Sequence, residues 1–498
     1  MATKTFIFYS IIFCLSIPSI KLFAQNRAVS QINYIPDELK NYVPSLQSKI
    51  GYVEIPDFLF DSPPEYISKN KALEDVNVLR YILETGYCGR FYWGENGVDF
   101  NDLYFNLNEF VESSADSVSV KSFENIIINS LTKLNDGHSK LEGFKVTEFA
   151  KSKHTYFADI VLEKQNNTYR VIQSKQPDIK PGMIYSGSID NLFLTLSPKN
   201  KVHYLLGILS FSKVESLNLY FDGKVRNVKF HRCKISTANN TDKVFESEQK
   251  GDNTYVRVSK LHEKYQNMLK KFADIGSELK NRKLIVYNLV NVDGGNAIYP
   301  RLFIENLNTN ARGFDYMAVL HSPSVNQAYM PGKNLWMSTF LPKEWLVADV
   351  EIEKLPKDIA QIISEIRDEN KSLSADPVIR WEIIKNEIPE TGSYKGKFIT
   401  IINSKVGSAA INATAFTKSI ANSIIIGENT SGGFTFGEVI YYNLKNSKLK
   451  LKLPIKIVIN KDFNYEQGFL PDYWLDSNDP EMEISKWLNN PETYQFIY

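Results

Sequence analysis

The sequence predicts a multidomain protein of mixed α+β and α/β class, with an N-terminal helical domain, a β-rich module and a C-terminal α/β domain. Three observations carry this. From Lys71 to Leu141 apolar residues recur at steps of three and four, as on one face of a helix. From about Val146 to Lys250 the period shifts toward two, the pattern of half-buried strands. From Thr254 onward buried-looking strands alternate with helical stretches, which argues for an α/β domain. A chain of 498 residues, 43% apolar and 13% aromatic, is long enough for two or three such domains with substantial cores.

Taken in order, residues 1–24 carry an early lysine, an apolar run from Phe6 to about Ile17 and small residues near Ala24, the layout of a signal peptide cleaved before Gln25. The run is shorter than the roughly 20 residues that span a bilayer. A periplasmic or secreted protein with no integral membrane segment after signal removal is therefore expected. Residues 25–145 form the predicted helical domain, in which ALEDVNVLRYILETGY, DFNDLYFNLNEFVESS and SVKSFENIIINSLTKL each show the helical period. Residues 146–250 form the predicted β-rich module, where Asp222-Gly223 inside SLNLYFDGKVRNVKF marks a hairpin turn. Residues 251–498 form the predicted α/β domain, opening with the strand YVRVSKL, a helix to about Leu279 and the strand KLIVYNLV. The aromatic-rich stretch from Phe314 to about Ile388 reads as an excursion over that domain or as a solvated insertion, with a charged helix in KDIAQIISEIRDENK.

Charge and cysteine usage narrow the function classes. Lys+Arg of 58 against Asp+Glu of 57 leaves a formal net charge of +1, with no long basic block, which speaks against a nucleic-acid partner. Of the three cysteines, Cys14 leaves with the signal, and Cys88 and Cys233 lack CxxC spacing, so they read as buried free thiols rather than a disulfide framework or a zinc site. No HExxH or paired-histidine pattern points to a metal, and no motif points to a cofactor.

A serine nucleophile needs a base for its proton and fixed donors for the oxyanion. Ser408 follows the strand KFITIIN and a glycine, and opens the helical run AAINATAF, so it is either a nucleophile exposed at a strand-turn-helix junction or a helix N-cap. Of six histidines, His154, His203, His231, His262 and His321 lack a turn signature, whereas His138 emerges from the Asn-Asp-Gly turn that ends a helix in KLNDGHSKLEGF. Gly294 and Gly295 end the strand LIVYNLV, either as an ordinary turn or as a backbone able to approach a reacting carbonyl. A carbohydrate hydrolase would need paired carboxylates across a cleft; Glu428, Glu438 and Glu466 are available, but no spacing selects a pair.

These pieces stand in an order that resembles the tail-specific, or C-terminal-processing, serine peptidase family, over roughly Lys71 to Asp476. LNDGHS looks like that family's Leu-x-Asp-Gly-His-Thr/Ser signature, LIVYNLVNVDGG like its Asp-Leu-Arg-x-Asn-x-Gly-Gly segment, VGSAAINATAFTKSIANSIIIGENTSGG like its nucleophile helix and following strand, and YEQGFLPD like its Glu-x-x-Gly-x-x-Pro-Asp motif. The resemblance implies a crotonase-like ββα superhelix for the last domain and a divergent PDZ-like module around DIKPGMIYSG, Asp178 to Gly187. It implies Ser408 as nucleophile, with the amide of Ala409 and that of Gly294 or Gly295 as oxyanion donors. Gly433 stands where the Ser/Lys members carry their lysine. The resemblance is therefore to the branch that includes tricorn protease and the retinoid-binding repeats of the photoreceptor matrix, with His138 as base and Glu466 as its support. Gly137 stands where tricorn has a serine linking histidine to glutamate, and Asn288 and Val290 replace the family's usual Asp and Arg. The implied function is an exported serine endopeptidase acting on unfolded or C-terminal peptide segments, with no cofactor; the alternative is a catalytically silent protein that binds a peptide or an apolar ligand in the same cleft.

Overall fold

The computed structural model describes residues 61–149, 151–236, 243–308, 311–326, 328, 351–357, 360–361, 364, 379–385 and 392–495. The expected signal segment lies outside these residues, as does most of the helix expected in KDIAQIISEIRDENK. Among the described residues no helix is long and apolar enough to cross a membrane.

The three helices read from the period form at Lys69–Thr85, Phe100–Ser113 and Val120–Leu131. Two start on side-chain caps: Asp99 accepts from the amides of Asn101 and Asp102, and Ser119 from that of Ser122. Their buried faces, among them Leu79, Ile82, Leu107, Phe123 and Ile127, share one core with Phe436, Tyr442, Leu451 and Leu453 from a six-stranded sheet. The helical segment therefore has no core of its own. Packing against Phe436–Asn443 and Lys450–Ile459 fixes the turn after Leu131, and with it His138, beside that sheet.

A second, 14-stranded sheet runs through the rest of the molecule. Its centre is parallel: Asn253–Val258, Leu284–Asn288, Lys397–Ile402, Ser423–Gly427 and Tyr473–Trp474 pair in the sequence of neighbours expected of strands joined by crossovers. The strands are nearly continuous apolar runs because helices cover them; Gln266–Glu278, Ile298–Asn308 and Ala409–Thr417 share a core with Ile285, Tyr287, Phe398 and Ile402. The β-rich module, strands between His154 and Lys229, is antiparallel and joins the same sheet where Thr195 pairs with Trp474. Asp222 and Gly223 both take positive φ, 49° and 71°, as a two-residue hairpin turn requires.

The module's edges differ from those read at residues 146 and 250. Val146–Glu148 pairs with Lys140–Glu142 in the six-stranded sheet, and Phe245–Lys250 forms a hairpin with Asn253–Val258. A period of two marks a strand but not the sheet that receives it. In the excursion after Phe314, the strands Tyr316–His321 and Arg380–Lys385 pair with each other, and the first also pairs with Lys450–Ile459, extending the six-stranded sheet. Cys88 and Cys233 are free and buried in separate clusters.

Candidate active site

The strand Lys397–Ile402 delivers the chain to the turn that carries Ser408, and the helix Ala409–Thr417 follows at once. Ser408 has φ 47° and ψ −119°, a conformation that costs a non-glycine residue about 1–3 kcal/mol. The surrounding backbone holds it there: Gly407 N–H donates to the Val292 carbonyl at 3.1 Å, Val406 N–H to Asn403 at 2.9 Å, and Ser431 N–H to Val406 at 3.0 Å. Asn403 adds side-chain ties, accepting from the Asn291 amide at 3.0 Å and donating to the Asn291 side chain at 2.9 Å, so the two loops that end adjacent strands are cross-linked.

Ser408 makes no side-chain cap to its own helix. Its Oγ lies instead 3.0 Å from Nε2 of His138. The side chain therefore faces the histidine and does not cap the helix. The histidine's Nδ1 is bonded to the carbonyl of Phe436 at 2.5 Å, and because a carbonyl only accepts, Nδ1 must carry the proton and Nε2 is left as the acceptor for the serine hydroxyl. Phe434 stands edge-on to the imidazole, with ring centroids 5.0 Å apart. Burial lowers the His138 pKa to about 4, with Lys452, Lys140 and Lys456 lowering it further against the opposite pull of the Phe436 carbonyl. The imidazole is neutral at pH 7.

The turn that carries His138 is built around Asp136, whose place in Asn-Asp-Gly marks only a turn at the level of sequence. Its fully buried carboxylate accepts from the His138 amide at 2.9 Å, the Ser139 hydroxyl at 2.6 Å and the Tyr87 hydroxyl at 3.0 Å. Burial raises its pKa to about 6 despite these donors. On the other side, Gly137 N–H donates to the Gly433 carbonyl at 2.7 Å, and Gly433 N–H to the Tyr465 carbonyl at 2.6 Å. Gly433, where a catalytic lysine would stand, is thus a backbone strut under the histidine turn, with φ 78°.

Gly294 and Gly295 have φ of 132° and 136°, both forbidden to most side chains. A Cβ on Gly294 would meet Ser408 Cβ at 2.8 Å and Ala409 N at 3.4 Å, so this backbone lies directly against the serine and the first amide of its helix. Gly295 approaches Leu261 as closely, with a hypothetical Cβ 2.3 Å from its carbonyl. Among the described residues no backbone or side-chain acceptor takes the Ala409 amide.

Glu466 is not brought to His138. Its carboxylate pairs with Lys153, and the nitrogen it was expected to orient is held by the Phe436 carbonyl. The partner of that nitrogen is a backbone carbonyl and not a carboxylate. Asn288 keeps its strand anchored without the usual Asp and Arg: it accepts from the Val290 amide at 3.0 Å and donates to Glu481 at 2.8 Å, while Val290 packs into an apolar cluster with Val286, Ile399 and Ile401. Glu428 is buried and accepts from the amides of Ser404 and Thr155, and Glu438 pairs with Lys456, so the three carboxylates weighed for a hydrolase of another kind each have a separate partner.

The remaining histidines are engaged elsewhere: His154 with Arg232, His203 with Glu163, His262 with Asp293 and His321 with Glu382. His231 sits between Asp476, at 2.7 Å from Nε2, and Asp159, at 3.5 Å from Nδ1. These three residues have metal-ligand types within 4.8 Å of one another, but the imidazole uses both nitrogens as a bridge between two carboxylates.

Neither protein-family models nor curated proteins yield a match to this sequence. Among solved structures the chain is similar to mature CPAF, at 12% identity over 82% of this chain and 93% of that one, with a TM-score of 0.42. It is similar to the photosystem II D1 C-terminal processing protease at 11% identity, 82% and 92% coverage and a TM-score of 0.36. It is similar to tricorn protease at 12% identity, over 85% of this chain and 37% of that one, with a TM-score of 0.38.

Proposed function

We propose that this protein is an exported serine endopeptidase of the tail-specific type, acting on unfolded or C-terminal peptide segments, with Ser408 as nucleophile and His138 as general base. The observation that carries the reading is the 3.0 Å contact between His138 Nε2 and Oγ of a serine in a strained positive-φ conformation. The four sequence motifs and the crotonase-like and PDZ-like readings of residues 251–498 and 146–250 belong to the same proposal.

In this mechanism Nε2 takes the hydroxyl proton as Oγ bonds to the scissile carbonyl carbon, whose π electrons move to oxygen. The amide of Ala409 and that of Gly294 or Gly295 receive the oxyanion. The imidazolium then protonates the leaving amine, the C–N bond breaks, and water repeats the sequence to free the acyl group. A carbonyl partner fixes the productive tautomer as a carboxylate would, but offers no full negative charge to the imidazolium. The base is therefore weak, and it remains available far below neutral pH.

The test is labelling by a fluorophosphonate and hydrolysis of a denatured protein. Wild type is expected to label and cleave, S408A to lose labelling and at least about 10³-fold in turnover while remaining folded, and H138A to lose most of both. Undiminished hydrolysis by folded S408A removes the serine from the mechanism. A folded wild type that neither labels nor cleaves is the catalytically silent binding protein instead.

A further inference from the structure

We propose that Glu481, on the C-terminal helix Pro480–Asn489, is a positioning residue for the oxyanion loop and acts on it through Asn288. The inference rests on the serine hydrolase reading above, and its test has an arm that does not depend on activity.

Asn288 ends the strand Leu284–Asn288 and is 2% exposed. Its Oδ1 accepts from the Val290 amide at 3.0 Å, and its Nδ2 donates to Oε1 of Glu481 at 2.8 Å. Arg257 holds Glu481 from the other side, through Nε at 2.7 Å and Nη2 at 2.5 Å, and also reaches Glu248 at 3.0 Å. Beyond Val290 the backbone continues as a braced turn: Val292 N–H donates to Leu289, and the Val292 carbonyl receives Gly407 N–H, the residue before the nucleophile. Two positions later Gly294 lies against Ser408. A fixed carboxylate on the last helix is thereby connected to the start of the loop that supplies an oxyanion donor.

The chemistry requires an amide at position 288. An asparagine accepts from a backbone N–H and donates to a carboxylate at once; an aspartate, which the resemblance leads one to expect here, retains the first bond and sets a second carboxylate against Glu481. Arg257, Asn288, Glu481 and Tyr255 also line a cavity of about 440 Å³, so groups of equal size can be exchanged there without repacking a closed core.

The experiment compares wild type, N288D, E481Q and the double variant N288D/E481Q. N288D is expected to lower the acylation rate constant toward a fluorophosphonate, and kcat on a denatured protein, by about 10-fold or more with little change in KM, because a donor is displaced rather than substrate binding lost. The double variant restores a donor-acceptor pair across 288 and 481 and is expected to recover to within about threefold of wild type, a rescue that general destabilisation does not give. Independently of activity, amide hydrogen exchange across residues 289–295 is expected to accelerate in N288D and to return toward wild type in the double variant. N288D acting like wild type, or a double variant as impaired as N288D, overturns the proposal. A wild type that neither labels nor cleaves defeats the hydrolase reading, and the exchange result then decides this proposal alone.

Discussion

His138 Nε2 stands 3.0 Å from Ser408 Oγ across 270 positions of sequence, while its Nδ1 is held by the carbonyl of Phe436. Under the proposed mechanism this contact is the path of the serine proton. Its pH behaviour follows from the burial that lowers the His138 pKa to about 4. Below that value Nε2 is protonated and cannot accept from the serine; above it Nε2 is free to accept. The His138-dependent part of the fluorophosphonate labelling rate should therefore fall to half near pH 4, below any smaller step near pH 6 where Asp136 takes up its proton. A half-point near 6.5, that of a solvated imidazole, would contradict the buried geometry. Stability has two opposed contributions in the same window. His138, depressed from 6.5, contributes stability that is lost as pH falls toward 4, whereas Asp136, raised from 3.8 to about 6, contributes stability that is lost as pH rises through 6.

Asp136 is expected to matter for both fold and rate. D136A strands the Tyr87 and Ser139 hydroxyls in a buried site and frees the His138 amide, three donors that now share one carboxylate. Urea denaturation should show a loss of about 2–4 kcal/mol, and kcat should fall by about 10-fold or more as the imidazole loses its fixed position. D136N, which keeps one acceptor oxygen, should lose less in each. Wild-type stability in D136A would mean that the turn is held by its backbone bonds to Gly433 alone.

What the sequence made legible was local. The helix caps Asp99 and Ser119, the Asp222-Gly223 hairpin and the glycine turns before Ser408 and after Asn288 are each specified by residues within a few positions. The contact between Ser408 and His138 was reachable only because the motifs occur in a recognisable order. The rest depends on tertiary packing. The partner of His138 is the backbone carbonyl of Phe436, and a backbone acceptor has no side-chain identity to read. Asp136 stood in view within Asn-Asp-Gly-His-Ser, where a carboxylate two residues before the histidine and three before a serine is the available signal, but its burial against Tyr87 is not. Asn288 and Glu481 meet across 193 positions.

Glu466 is expected to be nearly dispensable for the chemical step. Its carboxylate is committed to Lys153 at a part-exposed position, and such pairs contribute about 0–1 kcal/mol. E466Q should retain kcat within about threefold and show an unchanged pH profile. A loss of 100-fold or more, accompanied by a raised half-point for labelling, would mean that Glu466 supports the imidazolium during turnover after all.

Gly433 provides the sharpest separation between a histidine and a lysine as base. Introducing G433K into H138A puts an amine where the sequence resemblance aligns the lysine of Ser/Lys peptidases, so a latent dyad would recover activity. The structure gives the opposite expectation. Position 433 has φ 78°, and a Cβ there would stand 3.1 Å from the Asn135 carbonyl oxygen and 3.4 Å from Gly137 N. Its own N–H and carbonyl are bonded to Tyr465 and Gly137. A lysine must either accept that strained backbone, at about 1–2 kcal/mol, or shift it and release the turn carrying residue 138. G433K alone should therefore lower both Tm and kcat, and H138A/G433K should be as inactive as H138A at every pH from 6 to 10. Recovery in that double variant as the pH rises toward 10, where a lysine begins to lose its proton, would show that the cleft accepts the other base and that Gly433 is not the strut inferred from its hydrogen bonds.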